Sequence, residues 1–340
     1  MATTYWDGST DTDWATAANW SDTLPVADDT IVFDGRMVTK PTTGMTDGGS
    51  VSDSGHANAC TFDVIIFNES YTGGIGTAAL PLVCAPDKIV INGSGTYHIC
   101  CGGTDQSTEK TIPLLFVNNS SAIVYLYSNC NDADAVCTWT NVYVTAGTVY
   151  VAFYSADTDD QGCYVANMYL VPSAGGSVTV TYEKDAYDVD NAIAPNIYMH
   201  GGTLLTDSQV GTFHMWGGTV YYGSEPSTGT TVTEADMDIT TLIMHDGTFY
   251  WNPDDTGDPE ISNIFIYGGT FDASSTVSND IDKYLGGGAD NDVYLFTGGT
   301  MNLKNTRTTI AVHADTRFYV FGGTLTLEKG TWNAWAVNYS

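Results

Sequence analysis

The segment Ile197-Tyr-Met-His-Gly-Gly-Thr-Leu204 is the first of six copies of one motif that decides the fold. The other copies are Phe213-His-Met-Trp-Gly-Gly-Thr-Val220, Leu242-Ile-Met-His-Asp-Gly-Thr-Phe249, Ile264-Phe-Ile-Tyr-Gly-Gly-Thr-Phe271, Tyr294-Leu-Phe-Thr-Gly-Gly-Thr-Met301 and Phe318-Tyr-Val-Phe-Gly-Gly-Thr-Leu325. Each copy has large alternating residues, a Gly-Gly or Asp-Gly pair, a threonine and a second apolar run. Because glycine accepts positive φ without strain, this pattern predicts a strand, a sharp corner and a second strand.

The spacing of the copies predicts a solenoid. The glycines that precede the six threonines are separated by 16, 29, 22, 30 and 24 residues. Steps in the twenties are typical of one solenoid coil, and their irregularity indicates loops of varying length between the strands. The sequence therefore predicts an all-β fold of stacked parallel coils.

Alternate positions before the corner glycines predict an inner column of apolar side chains. The expected interior pairs are Ile197/Met199, Phe213/Met215, Leu242/Met244, Ile264/Ile266, Tyr294/Phe296 and Phe318/Val320. Successive residues of a strand point to opposite faces, so these pairs share one face of their strands. We expect Met199, Met215, Met244 and Ile266 to stack on one another inside the solenoid.

The opposite face of the same strands is aromatic as well, although a wet strand face is normally polar. The intervening positions are Tyr198/His200, His214/Trp216, Ile243/His245, Phe265/Tyr267, Leu295/Thr297 and Tyr319/Phe321. Soluble monomers rarely expose a contiguous apolar surface of this kind. The aromatic and imidazole side chains therefore predict an oligomer interface or a binding surface, formed by Tyr198, His200, His214, Trp216, His245, Phe265, Tyr267, Tyr319 and Phe321.

Three histidines in this stripe, His200, His214 and His245, allow two interpretations. They would form either a metal site or part of a row of stacked rings. Trp216 and Tyr267 occupy equivalent positions, and a column that accepts any ring favours stacking. The threonines after the corners similarly favour a hydroxyl ladder over an ice-binding plane, because the next outward position varies in chemistry.

Charge and composition exclude several partners. The chain has 10 Lys and Arg against 40 Asp and Glu, for a formal net charge of -30. This charge argues against nucleic acid and anionic membranes as partners. With 43% hydrophobic and only 15% charged residues, the chain is expected to fold throughout. We find no signal-peptide pattern and no membrane-spanning segment, so we expect synthesis without a standard signal.

Residues 1–35 have a different pattern, with Trp6, Trp14 and Trp20 followed by Pro25 and an Asp-Thr-Ile-Val-Phe-Asp strand ending near Gly35. An open solenoid end exposes apolar surface, which predicts a tryptophan-rich cap or anchor. The pattern resembles the opening of β-helical segments in bacterial surface proteins and phage virion proteins, over about a tenth of the chain. The resemblance implies a right-handed parallel β-helix that begins with this segment.

The remaining segments complete the predicted organisation. Strand candidates in residues 36–190 are Val64–Phe67, Lys88–Asn92, Leu114–Val117, Ile123–Tyr127, Val142–Val144, Val149–Phe153, Met168–Val171 and Val178–Tyr182. The solenoid is therefore expected over residues 36–329. The tail 330–340, with Trp332 and Trp335, either closes the last coil or docks on a partner. The seven cysteines are interpreted as structural thiols, with metal ligation and one or two disulfides as alternatives.

The acidic clusters are the only candidates for catalysis. They are Asp157/Asp159/Asp160, Asp188/Asp190 and Glu234/Asp236/Asp238. Glycoside hydrolysis needs a pair of carboxylates, but such spacing more commonly marks a solvated edge. A structural Ca²⁺ is left open and unassigned because no calcium-loop spacing is present. We therefore predict no catalytic activity and no other cofactor.

Three functional classes remain. The first is an oligomeric virion structural protein on the outer surface of a phage capsid, with itself and other virion proteins as partners. A trimer is favoured by resemblance to other virion β-helices. The second is a glycan-binding tailspike or adhesin that uses the aromatic stripe on host glycans. The third is a polysaccharide-cleaving solenoid. The absence of a catalytic motif and the doubly apolar strands favour the first class.

Overall fold

The computed structural model describes residues 2–10, 16–22, 24–26, 28–35, 62–78, 81–102, 110–129, 137–151, 163–182, 196–206, 209–223, 239–251, 261–273, 292–303, 317–327 and 337–338. Over these residues the protein is nearly all β, and the single 3-10 turn at Ala17–Asn19 is their only helical element. The chain forms two compact units, Met1–Ala192 and Ile193–Ser340.

The second unit contains the six motif copies, each of which forms two strands around its corner. These twelve strands are β12 (Asn196–Met199), β13 (Thr203–Thr206), β14 (Val210–Met215), β15 (Thr219–Tyr222), β16 (Ile239–Met244), β17 (Thr248–Trp251), β18 (Ile261–Ile266), β19 (Gly269–Asp272), β20 (Asp292–Leu295), β21 (Gly299–Leu303), β22 (Arg317–Val320) and β23 (Thr324–Leu327). A further strand, β24 (Val337–Asn338), follows the sixth copy. Each strand pairs in parallel with the equivalent strand of the next coil. The predicted parallel β-solenoid is confirmed.

The inner column of the second unit has the predicted composition. Met199, Met215, Met244 and Ile266 pair in register from coil to coil, and all four are fully buried. After the corner, Leu204, Val220, Phe249 and Phe271 form a second buried column in the same way. Parallel coils give each inner side chain a neighbour above and below, so burial is continuous along the stack.

In the fifth copy, the predicted interior pair was wrong by one residue. Val293 and Leu295 are buried there, whereas Tyr294 and Phe296 lie on the outer side and are only partly buried. The corner of this copy has one extra residue, Thr297, between the last inner side chain and the glycines. Because the side-chain period of a strand is two, one extra residue reverses which residues face inward. In the sixth copy, Phe318 is buried but Val320 is only partly so.

The corner glycines and threonines follow the predicted pattern. Gly202, Gly218, Gly247 and Gly269 all have positive φ, whereas in the fifth copy Gly298 takes that role. The threonines of all six copies pair in register as one column. At the end of the chain, β24 pairs in parallel with β22, so Val337 and Asn338 of the predicted tail extend the strand stack.

The first unit stacks its strands in the same parallel manner. They are β1 (Thr3–Tyr5), β2 (Thr30–Phe33), β3 (Val64–Phe67), β4 (Leu82–Cys84), β5 (Lys88–Ile91), β6 (Gly95–Gly102), β7 (Thr111–Ile112), β8 (Leu114–Asn129), β9 (Thr138–Val151), β10 (Tyr164–Leu170) and β11 (Val178–Tyr182). The strands β1, β2, β3, β5, β8, β9 and β10 pair in this order. Strand candidates predicted as separate pairs merge into the long strands β8 and β9.

The N-terminal cap is supported in part by a buried aromatic cluster. Trp6 and Trp20 form an antiparallel bridge, and their rings meet edge to face with centroids 5.1 Å apart. Both rings pack near Phe33 of β2, which stacks on Phe67 of the next coil at 4.7 Å. The cluster thus covers the first inner ring of the strand stack. The predicted cap residues Trp14, Trp332 and Trp335 lie outside the described residues.

Candidate functional site

The outer face of the second unit carries a continuous stack of six rings, which we call the aromatic ladder. Its members are His200, Trp216, His245, Tyr267, Phe296 and Phe321. Successive ring centroids are 4.5, 5.7, 5.0, 4.4 and 5.2 Å apart. The rings are inclined to each other by 7 to 16°. Each ring follows the last inner residue of its strand, so the in-register pairing of the coils aligns the rings.

A second outer column lies two residues before the ladder on the same strands. Tyr198 stacks on His214 at 5.5 Å, and Phe265, Tyr294 and Tyr319 form a run with spacings of 4.8 Å. Ile243 separates these two groups. His214 also lies 5.5 Å from Trp216, so the two columns join into one aromatic face.

The geometry of the ladder determines what it presents to solvent. Nearly parallel rings cover the faces of their neighbours, so the ring edges point outward. Trp216, Tyr267 and Phe321 nevertheless remain 38%, 43% and 43% exposed. With about 4.8 Å between parallel strands, five steps give an apolar ribbon roughly 24 Å long. Stacked rings of this kind contribute about 0.5–1.5 kcal/mol per pair beyond area burial, which favours the aligned row.

One histidine of this face, His214, has a shifted pKa. Burial lowers the pKa of His214, and the nearby charge of His245 lowers it further. The exposed Asp246 beside His245 is engaged in the corner, where its Oδ1 accepts a hydrogen bond from the Gly247 N–H at 2.7 Å. The imidazole rings of His200 and His245 stack on Trp216 from its two sides. The histidine column is therefore a stacking row, and no group of His, Cys, Asp or Glu in the described part of the chain is arranged to hold a metal ion.

All nine residues of the predicted stripe lie on this outer face. Sequence reasoning missed two further members, Tyr294 and Phe296, because the motif was aligned on its glycines. Aligning Val-Tyr-Leu-Phe296 with Phe-Tyr-Val-Phe321 instead would have placed both rings outward and shown Thr297 as an insertion. This similarity in the order of the rings was the sequence signal that could have identified Tyr294 and Phe296 as outward-facing.

The first unit also has outward ring stacks, which the sequence analysis did not identify. His98, Tyr125 and Tyr150 stack at 4.6 and 4.7 Å, and His98 Nδ1 lies 2.9 Å from the Tyr127 hydroxyl. Tyr143 and Tyr169 form a separate pair at 4.3 Å. These stacks are shorter than the ladder.

The five cysteines among the described residues are all buried. Cys84, Cys100, Cys101 and Cys163 are free and buried, whereas Cys137 is disulfide-bonded. Burial raises the pKa of Cys163 to about 12 and that of Cys101 well above its usual value. Such thiols are poor nucleophiles and poor metal ligands because both roles need the thiolate.

The predicted acidic clusters, from Asp157 to Asp160, from Asp188 to Asp190 and from Glu234 to Asp238, lie outside the described residues. Within the described part, no helix is long and apolar enough to cross a membrane. Comparison of the chain with protein-family models, with curated proteins and with solved structures gives no match.

Proposed function

We propose that the protein is a non-catalytic structural β-solenoid that assembles into homo-oligomers through the aromatic ladder. The observation that carries this proposal is the continuous ring stack on the outer face of the second unit. Six consecutive coils, one for each copy of the motif, place a ring at the same outward position. A repeated, rigid and apolar surface is what a subunit contact requires.

The direction of the rings favours a protein partner over a sugar. A saccharide binds an aromatic platform by lying flat on exposed ring faces, but the faces in the ladder are covered by neighbouring rings. Exposed ring edges instead form a flat ribbon that fits a second apolar surface. A copy of the same ribbon supplies such a surface and is present wherever the chain is present.

The exposed area of the ladder is large enough to form the core of an interface. Each of Trp216, Tyr267 and Phe321 exposes roughly 90 Å², given its exposed fraction and the ~150–250 Å² that an aromatic residue buries. Covering all three would contribute about 7 kcal/mol at ~25 cal/mol per Å². A stable interface buries about 800 Å² per partner, so flanking residues must complete the contact.

The proposed assembly is closed, with three subunits favoured by resemblance to other virion β-helices. A closed ring covers the ladder of every copy without forming an open filament. The net charge of -30 per chain opposes association, but salt screens charges beyond roughly 8 Å and leaves apolar contact unaffected. Association should therefore strengthen as the salt concentration rises.

The proposed location is the outer surface of a phage virion, where the oligomer decorates the capsid or forms a fibre. This part of the proposal rests on the pattern of the first 35 residues, and the buried Trp6–Trp20 cluster agrees with an ordered start to the solenoid. Immunogold labelling of virus particles from the source culture with an antibody to the chain tests it. Label on cells alone would contradict it.

The mass of the protein in solution tests the oligomer. We expect light scattering to give a multiple of the 36.4 kDa chain mass, and the triple variant Trp216→Ser, Tyr267→Ser, Phe321→Ser to be monomeric. The matched control is Tyr143→Ser with Tyr169→Ser, which removes an outward ring stack of the first unit and should leave the mass unchanged. A monomeric wild-type protein, or a triple variant that remains oligomeric with wild-type circular dichroism, would overturn the proposal.

A further inference from the structure

Three paired strands of the first unit, β3, β5 and β8, each have an asparagine directly after a buried residue. Asn68 follows Phe67 of β3, Asn92 follows Ile91 of β5, and Asn118 follows Val117 within β8. Phe67 pairs with Ile91, and Ile91 pairs with Val117. The three asparagines therefore form a column along the strand stack, with about 4.8 Å between neighbours.

This asparagine column lines an open cleft of about 870 Å³. The lining residues are Asn68, Glu69, Ser70, Asn92, Asn118, Asn119 and Ser120. Every lining side chain is polar, one is a carboxylate, and none is cationic or apolar. The volume is within the range of roughly 300–1,000 Å³ that is typical of small-molecule sites.

Some asparagine side chains of the cleft form hydrogen bonds within the protein, and these bonds hold the cleft in shape. Asn119 Nδ2 donates to the Asn92 carbonyl at 2.7 Å, and Asn119 Oδ1 accepts from the Ser121 N–H at 2.9 Å. Asn118 Oδ1 accepts from the Thr145 hydroxyl at 2.7 Å. Asn119 is thus held at both ends of its amide, whereas Asn118 keeps its NH₂ group available.

The other two amides of the column are available to a ligand. The backbone N–H of Asn68 donates to Phe33 and that of Asn92 to Phe67, both at 2.8 Å, so both residues are held in place by the coil. Their side-chain amides make no hydrogen bond within the described part of the chain. Each amide offers two donors and one acceptor oxygen. The cleft therefore presents rows of donors and acceptors at a regular spacing.

We propose that this cleft binds a neutral oligosaccharide that lies along the strand stack, with successive sugar units hydrogen-bonded to Asn68, Asn92 and Asn118. Amides match hydroxyl groups because both donate and accept. The spacing of the coils is close to the length of one sugar unit in an extended glycan. This site lies in the first unit and does not depend on the aromatic ladder or on the proposed oligomer.

The charge and chemistry of the cleft disfavour other ligand classes. Glu69 and a net charge of -30 oppose anionic ligands. The absence of apolar side chains from the lining disfavours lipids and other apolar molecules. Calcium sites combine several carboxylates with carbonyl oxygens, and Glu69 is the only carboxylate lining this cleft, so the charge of the lining disfavours calcium. A neutral polyhydroxylated ligand is the class that remains.

Isothermal titration calorimetry with cellohexaose, chitohexaose and mannohexaose tests the site, with hexagalacturonate as the anionic comparison. We expect at least one neutral hexasaccharide to bind and hexagalacturonate not to bind. The double variant Asn68→Ala, Asn92→Ala should weaken binding about tenfold or more, because two polar partners are lost. Asn263→Ala removes a partly buried amide of the second unit and is the control that should bind as the wild type does.

A second variant separates ligand contact from folding. Asn68→Asp keeps the side-chain shape, removes the donor and adds a negative charge, so it should also weaken binding while the thermal unfolding midpoint stays near that of the wild type. The proposal is overturned if no neutral probe binds, if the double variant binds as tightly as the wild type, or if CaCl₂ alone gives the only binding signal. It is also overturned if the triple ladder variant abolishes binding and the asparagine variants do not.

Discussion

Gly247, in the third corner of the second unit, is a position at which we expect a single added methyl group to be disruptive. Its φ is +94°, and an added Cβ would lie 2.7 Å from the Gly218 carbonyl oxygen and 2.5 Å from Met215 Cε. The Gly218 oxygen accepts a hydrogen bond from Thr248 at 2.9 Å, and Met215 is fully buried. The Gly218 carbonyl cannot move without weakening this hydrogen bond between coils, and the Met215 methyl group must shift within a filled core.

The cost of Gly247→Ala has two parts. Positive φ at a residue with a side chain costs roughly 1–2 kcal/mol. Relieving the overlap with the Gly218 carbonyl weakens its hydrogen bond and displaces a packed methionine, which adds about 1–3 kcal/mol. We therefore expect the free energy of unfolding to fall by about 2–5 kcal/mol, measured from urea unfolding followed by circular dichroism.

Gly298→Ala is the matched control, because this glycine belongs to the fifth corner and has a similar φ of +103°. Its added Cβ would meet only the Tyr267 carbonyl oxygen, at an ordinary 3.5 Å. This variant should lose only the roughly 1–2 kcal/mol of backbone strain. Equal losses in the two variants would refute the argument that close approach between coils, beyond backbone conformation, requires glycine at the third corner.

Three further predictions concern the interior and the outer face. Met244→Asp should lower the free energy of unfolding by more than about 4 kcal/mol because it places an unpaired charge in the core. The control Ile243→Asp, on the outer face, should cost less than half as much. Similar urea midpoints for the two variants would contradict the assignment of Met244 to the inner column. Burial raises the pKa of Cys163 to about 12, so this thiol should resist iodoacetamide at neutral pH until the protein is unfolded. Rapid labelling of Cys163 in the native protein, detected by mass spectrometry, would contradict this prediction. Burial lowers the pKa of His214 below 6.5 in the folded protein, so at acidic pH this residue binds a proton more readily in the unfolded chain. Stability that is present above pH 6.5 should therefore be lost as the pH falls through the lowered pKa of His214. His214→Gln should reduce this acid sensitivity, and a pH profile of unfolding identical to that of the wild type would show that the residue does not contribute.

The inner column could be predicted from the sequence because a strand alternates its faces and the corner glycines set the starting point. Met199, Met215 and Met244 each stand three residues before the corner glycine with positive φ, and all are buried. The prediction failed where Thr297 lengthens the corner, because counting from the glycines cannot detect an inserted residue. The pairing of Leu295 with Ile266 and with Val320 shows the true register.

The asparagine cleft was missed for a different reason. Each of its columnar residues directly follows a buried strand residue, as in Phe67-Asn68, Ile91-Asn92 and Val117-Asn118, and this recurrence was a usable signal. The sequence shows no corner motif there, however, and the loops between the strands differ in length. Which asparagines share a column depends on long-range pairing, which local patterns do not encode.

The ladder and the cleft make separable predictions because they lie in different compact units. Substitutions that share no contacts usually act independently, so the effects on mass and on saccharide binding should not be coupled. The triple variant of Trp216, Tyr267 and Phe321 should be monomeric and yet bind a neutral hexasaccharide with the wild-type affinity per chain. The Asn68→Ala, Asn92→Ala variant should remain oligomeric while its binding is weakened. If monomerisation alone lowered the affinity per chain, the cleft would require the assembled oligomer, and the assignment of saccharide binding to the first unit by itself would be wrong.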